Sequence, residues 1–163
     1  MDEQRKGGGR ATALGWVFVA VQAVLLVTLV ALPGGTAWPT PPVVRVGGLV
    51  AVGCGLIVVV LAATGLGTAL TATPVPRDGA ALATSGLYRF VRHPIYSGIL
   101  LAVAGSTVRA ASWVTLAVAL LTVVFFDAKA RWEEERLAER YPGYARYAAV
   151  TPRFFPLPRR RRS

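Results

Sequence analysis

The chain has 163 residues, enough for a single domain. Hydrophobic residues make up 54% of it, the mean hydropathy is +0.52, and the charges lie in short stretches between long uncharged ones. This distribution excludes an ordinary soluble domain and predicts a protein embedded in a lipid bilayer. The net charge of +10 raises nucleic-acid binding as an alternative, but the basic residues lie almost wholly outside the apolar segments, as contact with a membrane surface requires. The single cysteine excludes an intrachain disulfide, and the sequence holds no cluster of metal ligands.

The N-terminal part contains two apolar segments. Residues 1–10 are predicted to form a charged tail, and residues 11–66 two transmembrane helices. The first apolar run, 11–32, is long enough to cross a hydrocarbon core of about 30 Å, and we interpret it as a retained helix and not as a cleaved signal peptide. The second, 43–66, contains five glycines, where we expect a neighbouring helix to pack closely. These are Gly47, Gly48, Gly53, Gly55 and Gly65.

The region 67–156 begins with a polar connection and continues with two shorter apolar segments, 95–108 and 110–126. The first of these would make only about 21 Å of helix, which is short for a complete crossing. The two segments therefore either extend into flanking residues or form a hairpin that does not fully span. Pro94 fits the first turn of the third helix, and Ser112 fits the N-cap of the fourth.

The fourth helix is expected to continue past the membrane, because residues 127–140 are strong helix formers and no proline occurs before Pro142. The predicted fold class is thus all-α: a polytopic membrane protein with about four transmembrane helices, of which the last two form a hairpin that extends into the cytosol. Residues 157–163 form a polybasic tail that suits anionic lipid headgroups.

The positions of lysine and arginine predict the orientation. Sixteen of the 18 basic residues fall on one side of the predicted topology, and only Arg45 and Arg109 fall on the other. The positive-inside rule then places both termini, the loop 67–93 and any active site in the cytoplasm. This holds whether the last two segments cross fully or form a re-entrant hairpin.

Two polar clusters fall on this cytosolic side. His93, the only histidine, precedes a helix start at Pro94 and follows Arg89 and Arg92. Such a histidine can be a hydrogen-bonded structural group, but free N–H groups at a helix start beside two arginines would also hold a carboxylate or phosphate.

The second cluster is the acidic run at 133–135. A run of acids on an exposed helix is usually solvated. Three adjacent acids cover more than half of the helix circumference, so at least one must face the protein and needs a cationic partner from the chain or from a ligand.

Together these clusters resemble a family signature over about residues 82–156. The motif residues are Leu82, Thr84, Ser85, Gly86, Tyr88, Arg89, Val91, Arg92, His93, Pro94, Tyr96 and Gly98, then Glu133, Glu134 and Leu137, then Tyr141, Pro142, Tyr144 and Tyr147, and last Pro152, Arg153, Phe154 and Pro156. In this order they resemble the isoprenylcysteine carboxyl methyltransferase and phospholipid methyltransferase superfamily. The first two helices carry no signature.

The resemblance implies a multi-helix membrane fold, distinct from the Rossmann-like methyltransferases, that binds S-adenosylmethionine on its cytosolic side. The triple glutamate leaves the register open by one residue, and the spacing to Leu137 favours the first two. The residues expected to bind the cofactor are Tyr88, Arg92, His93, Pro94, Tyr96, Glu133 and Glu134.

The predicted catalytic residues are Glu134, Arg153 and Arg131, of which Arg153 matches the terminal arginine of the family. An acid suits the sulfonium and ammonium end of the cofactor, and the helix start with its arginines suits the carboxylate. A carboxylate acceptor would bind Arg131 or Arg153, whereas an amine acceptor would need a carboxylate as base.

The expected partners are the bilayer and a lipophilic methyl acceptor. An isoprenylcysteine carboxylate, a phospholipid amine, a small thiol and an isoprenoid carboxylate all remain open as acceptors, and the oligomeric state is not predicted. Two other functions also remain open: an NADPH-dependent enzyme similar to membrane sterol reductases, and a non-enzymatic membrane protein that keeps the fold.

Overall fold

The computed structural model describes residues 2–67 and 82–156, with side chains from Thr12 onward. The polybasic tail 157–163 and most of the predicted cytosolic loop, including Arg77, lie outside the described residues. Within the described ranges every regular element is helical, as the sequence predicted. The elements are α1 (Asp2–Ala31), α2 (Pro42–Leu66), a 3-10 helix (Gly86–Arg89), α3 (Pro94–Ala110), α4 (Trp113–Arg140) and α5 (Tyr144–Val150).

In the part of the chain that the structure describes, three helices are long and apolar enough to cross a bilayer, over Thr12–Ala31, Pro42–Leu66 and Trp113–Arg140. The fourth helix does continue to Arg140, as expected from its helix-forming residues. α3 has only 17 residues. α1 differs from the sequence prediction, because the helix already begins at Asp2 within the segment interpreted as a tail. No proline interrupts that segment, so the helical hydrogen bonds can continue through its glycines.

The turn between α3 and α4 begins later than the apolar segments indicated, because α3 extends into flanking residues. Arg109, which was expected between the two helices, lies in the last turn of α3. Ala111 then adopts a left-handed conformation with φ 46°, and the Ser112 side chain accepts a hydrogen bond from the backbone N–H of Thr115 at 3.4 Å. The predicted N-cap at Ser112 and the predicted start of α3 at Pro94 are both confirmed.

α2 and α3 pack through glycines. An added Cβ at Gly48 would lie 2.8 Å from the carbonyl oxygen of Gly105, and one at Gly98 would lie 2.6 Å from that of Gly55. The contacting glycines are seven residues apart on each helix, so they repeat every two turns on one face. Gly47, Gly53 and Gly65, the other three glycines of α2, would meet nothing within 4 Å. Close packing thus accounts for two of the five predicted positions.

α1 and α4 complete the bundle on the other side of α3. Leu29, Val103 and Ala119, one residue from each of α1, α3 and α4, form a buried apolar cluster. The loop between α1 and α2 covers the α3–α4 turn: the N–H of Gly35 donates to the carbonyl of Ala110 at 2.7 Å, and the indole of Trp38 donates to that of Val108 at 3.1 Å. The polar clusters of His93 and Glu134 lie at the opposite end of the bundle.

Candidate active site

The C-terminal segment, residues 151–156, lies against the start of α3. The backbone N–H groups of Arg92 and His93 donate to the carbonyls of Pro152 and Arg153 at 2.9 and 3.1 Å. The hydroxyl of Ser97 donates to the carbonyl of Phe154 at 2.6 Å. The N–H of His93, the N-cap of α3, is therefore hydrogen-bonded within the chain itself.

Glu134 is the centre of an ionic cluster. Its carboxylate accepts two hydrogen bonds from Arg153, from Nε at 2.9 Å and from Nη2 at 2.8 Å. His93 Nε2 lies 3.0 Å from Oε1, and Arg92 Nη2 lies 3.4 Å from the same oxygen. The Glu134 side chain is 13% exposed, and three cationic or imidazole groups surround it. Such a carboxylate is already neutralised by its own chain.

Glu133 has fewer partners. It accepts a hydrogen bond from the hydroxyl of Tyr96 at 2.8 Å, and His93 Nδ1 lies 3.7 Å away. Its side chain is 24% exposed, and Glu135 points to solvent. The imidazole thus lies between two carboxylates, and the register favoured by the spacing to Leu137, with the first two glutamates inside, agrees with this geometry.

Asp127 joins the cluster from two turns earlier on α4. It accepts from Arg153 Nη1 at 2.6 Å and from Arg131 Nε at 2.7 Å. The side chain of Arg131 is 66% exposed, and Asp127 is its only carboxylate partner in the described part of the chain. The structure therefore brings Arg153 to the cluster but leaves Arg131 at its outer edge.

Two buried polar atoms near this cluster have no hydrogen-bond partner within residues 12–67 and 82–156. They are Nε of Arg92 and the hydroxyl of Tyr144. Tyr144 is only 4% exposed; burial raises the pKa of its phenol, and the nearby Glu134 carboxylate raises it further. Buried unpaired donors are costly unless a ligand or water satisfies them.

Tyr88 is buried where the 3-10 helix meets α5. The hydroxyl of Tyr147 donates to the carbonyl of Tyr88 at 2.6 Å, and burial raises the pKa of Tyr147 to about 12, so this donor keeps its proton at neutral pH. Burial also raises the pKa of Tyr88, and the Glu133 carboxylate adds to this effect. The side chains of the predicted cofactor-binding residues thus gather at one end of the bundle.

An aromatic wall borders the cluster towards the middle of the bundle. The ring of Tyr96 stacks parallel to that of His93 at 5.2 Å and contacts Phe126 at 5.0 Å. Pro94 is fully buried at the first turn of α3. The ammonium of Lys129 faces the ring of Tyr96, 5.2 Å from the ring centre.

Several residues of the cluster were not among the predicted site residues. Asp127 precedes Glu134 by two helical turns, so helical periodicity on α4 could have placed it on the same face. Tyr144 is part of the motif but was not selected. Ser97 and Tyr147 bind backbone carbonyls of distant segments, and no local sequence signal reveals such partners. Among the described residues no group of three His, Cys, Asp or Glu side chains forms a candidate metal site.

Comparison with known proteins gives two matches. The sequence model of the phospholipid methyltransferase family matches residues 43–143. Over 81 residues the chain is 40% identical to the cobalt-zinc-cadmium resistance protein CzcN of Cupriavidus metallidurans, a stretch that covers 49% of this chain and 38% of CzcN. The chain thus matches well under half of the length of that relative.

The family match includes α2, which carried no recognisable motif, together with the Arg-His-Pro segment and the glutamates of α4. It extends over more than half of the chain and agrees with the signature identified in the sequence. The chain therefore belongs to the phospholipid methyltransferase family, within the superfamily of membrane methyltransferases that the motifs indicated.

Proposed function

We propose that the protein is a membrane-embedded, S-adenosylmethionine-dependent methyltransferase that acts on a lipophilic acceptor. The observation that carries this proposal is the convergence of His93, Glu133 and Glu134 beside two unsatisfied buried donors, Arg92 Nε and the Tyr144 hydroxyl. Membership of the family supports methyl transfer as the reaction class.

The charges of this site fit the cofactor. Arg92 Nε and the Tyr144 hydroxyl are donors suited to its carboxylate. Glu133 keeps acceptor capacity for the ammonium or the sulfonium, because among the described residues its one hydrogen bond comes from Tyr96, and His93 Nδ1 is 3.7 Å away. Glu134 is occupied by Arg153, His93 and Arg92, so we assign it the role of holding these three groups in place.

S-adenosylmethionine supplies an electrophilic methyl group to a nucleophile of the acceptor. The chain's own contribution is to align the two partners and to exclude water, and alignment alone can account for about 7–11 kcal/mol of a barrier. His93 and Tyr96 form the rigid aromatic side of the site, and Pro94 fixes the helix start on which they stand. Tyr88 closes the side towards α5, and Arg153 fixes the position of Glu134.

We further propose that α3 is a fourth crossing. His93 at its start lies 3.0 Å from Glu134, and its end at Ala110 is joined to α4 through two residues. Trp113 and Glu133 are about 30 Å apart along α4, which is the thickness of a hydrocarbon core. α3, whose 17 residues make about 25 Å of helix, runs beside most of this length. The distribution of basic residues supports a cytosolic position for both termini and for the site.

A lipophilic acceptor fits the two routes of access to the site. A site at the bilayer edge with an apolar wall below it can admit a lipophilic molecule from the membrane and the cofactor from water. An isoprenylcysteine-type carboxylate and a related lipid both fit this arrangement. CzcN is named for resistance to cobalt, zinc and cadmium; no contact in this cluster specifically favours such a role, and we propose methyl transfer alone.

Titration of the purified protein in neutral detergent with S-adenosylmethionine, followed by calorimetry, tests this function. We expect saturable binding to the wild type and a loss of affinity of about 10-fold or more in Glu133→Gln, since a hydrogen bond to a charged group contributes about 1.5–3 kcal/mol. Glu135→Gln, which changes an exposed acid on the same helix, is the matched control and should bind within about twofold of wild type. Saturable binding of NADPH with no binding of S-adenosylmethionine would instead favour the reductase alternative.

A further inference from the structure

Lys129 is a buried ammonium that the proposed cofactor site does not use. Its side chain belongs to a residue only 4% exposed, on α4, one helical turn before Glu133. One turn corresponds to about 6 Å, so Lys129 lies deeper in the bilayer than the cofactor site. Ionisable side chains inside membrane segments are costly and usually mark the path of a substrate or an ion.

The contacts of this ammonium compensate its charge only in part, because the Glu133 carboxylate one turn away attracts it without forming an ion pair. Nζ donates to the side-chain oxygen of Gln22 on α1 at 2.5 Å and faces the rings of Tyr96 and Phe126 at 5.2 and 6.0 Å. Within the described part of the chain no carboxylate forms an ion pair with it. An ammonium has three donors and Gln22 accepts one of them, so the group has both donors and charge available for an anion.

Gln22 is an unusual residue for its position. It interrupts the apolar sequence of α1, and its neutral amide oxygen accepts the hydrogen bond from the ammonium. α1 also lies outside the region matched by the family. A neutral acceptor of this kind lowers the cost of the buried ammonium without cancelling its charge, and a stronger acceptor can replace it.

We propose that Lys129 binds the anionic group of the methyl acceptor, a phosphate or carboxylate of a lipid that inserts between α1 and α4 and displaces Gln22. This inference rests on the proposed function and adds the chemical class of the acceptor. Tyr96 contacts both Lys129 and Glu133, so an acceptor anchored at the ammonium, one turn below the cofactor site, is placed to extend its nucleophile towards that site.

The test is equilibrium binding of two single-chain probes, dodecyl phosphate and dodecanoate, to the purified full-length protein in neutral detergent. We expect one-to-one binding of at least one probe to the wild type, and a loss of affinity of 10-fold or more in Lys129→Gln. The probe that binds distinguishes phosphate from carboxylate. Arg109→Gln, which removes an exposed cation from the other end of α3, is the matched control and should bind as the wild type does.

Gln22→Ala separates this proposal from a purely structural role of the pair. If Gln22 only holds a place for the anion, its removal should tighten binding of the probe by about 2- to 10-fold. If the hydrogen bond between Lys129 and Gln22 only tethers α1 to α4, Lys129→Gln and Gln22→Ala should each weaken probe binding or leave it unchanged. Weaker or unchanged binding in Gln22→Ala overturns the proposal. Titration of the wild type with S-adenosylmethionine distinguishes the two proposals. Binding of the anionic probe without binding of the cofactor contradicts the proposed function. Binding of the cofactor without Lys129-dependent binding of the probe contradicts this inference.

Discussion

Arg153 uses its guanidinium to hold two carboxylates at once. Nε and Nη2 bind Glu134, and Nη1 binds Asp127. These contacts, the hydrogen bonds to Glu134 first, raise the pKa of Arg153 above its ordinary value, so it stays charged. Since its carbonyl also accepts from the N–H of His93, Arg153 joins α4 to the start of α3. A lysine has one point charge and cannot reproduce this fork.

Arg153→Lys should therefore release Glu134 and disturb the positions of His93 and Arg92. We expect the affinity for S-adenosylmethionine to fall by about 10-fold or more, on the scale of one charged hydrogen bond, about 1.5–3 kcal/mol. Isothermal calorimetry in neutral detergent measures this, with the thermal unfolding midpoint recorded on the same samples to show that the fold persists.

Arg131→Lys is the control for this prediction. Within the described part of the chain Arg131 pairs only with Oδ2 of Asp127, and its side chain is largely exposed. Exposed ion pairs contribute about 0–1 kcal/mol. Its replacement should change cofactor affinity by less than about threefold. An equal loss in both variants would contradict the assignment of Arg153 to the inner cluster and would restore Arg131 as a site residue.

The sequence identified which residues gather at the site better than it identified what each one does. The spacing of the acidic run to Leu137 correctly placed Glu133 and Glu134 inside and left Glu135 exposed. It could not show that Glu134 is already neutralised, because Arg153 is brought to it by the path of the C-terminal segment and not by helical periodicity. Arg131, which was predicted to be catalytic, lies at the edge of the cluster.

At the scale of elements, the contact between α2 and α3 sets the position of the site. The start of α3 carries His93, and α3 is held against α2 where Gly55 meets Gly98. An added Cβ at Gly55 would lie 2.7 Å from the backbone nitrogen of Ala102, so the two helices would have to separate. In membranes, where helices gain little from the hydrophobic effect, such close contacts supply much of the packing energy.

Gly55→Ala should lower the free energy of unfolding in detergent by about 1–3 kcal/mol, the usual cost of overpacking. Gly53→Ala on the same helix is the matched control, because its Cβ would meet nothing within 4 Å. That substitution should be neutral or stabilising by up to about 1 kcal/mol, since alanine is the better helix former. Unfolding by a denaturing detergent, followed by circular dichroism, compares them; similar midpoints would mean that the α2–α3 contact is looser than described.

The ends of the elements were predictable wherever a local signal exists. The proline at the start of α3 and the serine cap of α4 were both predicted, because N-terminal positions have strong residue preferences. The inclusion of Arg109 in α3 was missed, because it depends on a left-handed alanine that the loop 32–41 covers. Which two of the five glycines of α2 pack closely depends on the face that α3 occupies, and the local sequence does not carry that information.

At the scale of the whole molecule, the two ends of the bundle differ in chemistry. One end carries the ionic cluster and Arg153. The other end carries the contact between Trp38 and Trp113, whose ring centres are 5.4 Å apart. It also carries two basic residues, Arg45 and Arg109. Tryptophans of this kind suit the headgroup level of a bilayer, and the basic residues favour the cytosolic side for the other end. The proposed topology therefore has four crossings, with the site facing the cytosol.

Single cysteines at the two ends test this topology. In a Cys54→Ala background, which removes the exposed native thiol, Thr36→Cys lies in the α1–α2 loop and Glu139→Cys lies near the end of α4, both at exposed positions. A membrane-impermeant maleimide should label the first in intact cells and the second only in inverted vesicles, because opposite ends of the bundle face opposite compartments. If both cysteines react in intact cells, the two ends share a compartment and α4 does not cross; if only Glu139→Cys reacts, the site faces outward, and a cofactor made in the cytosol could not reach Arg92 and Glu133.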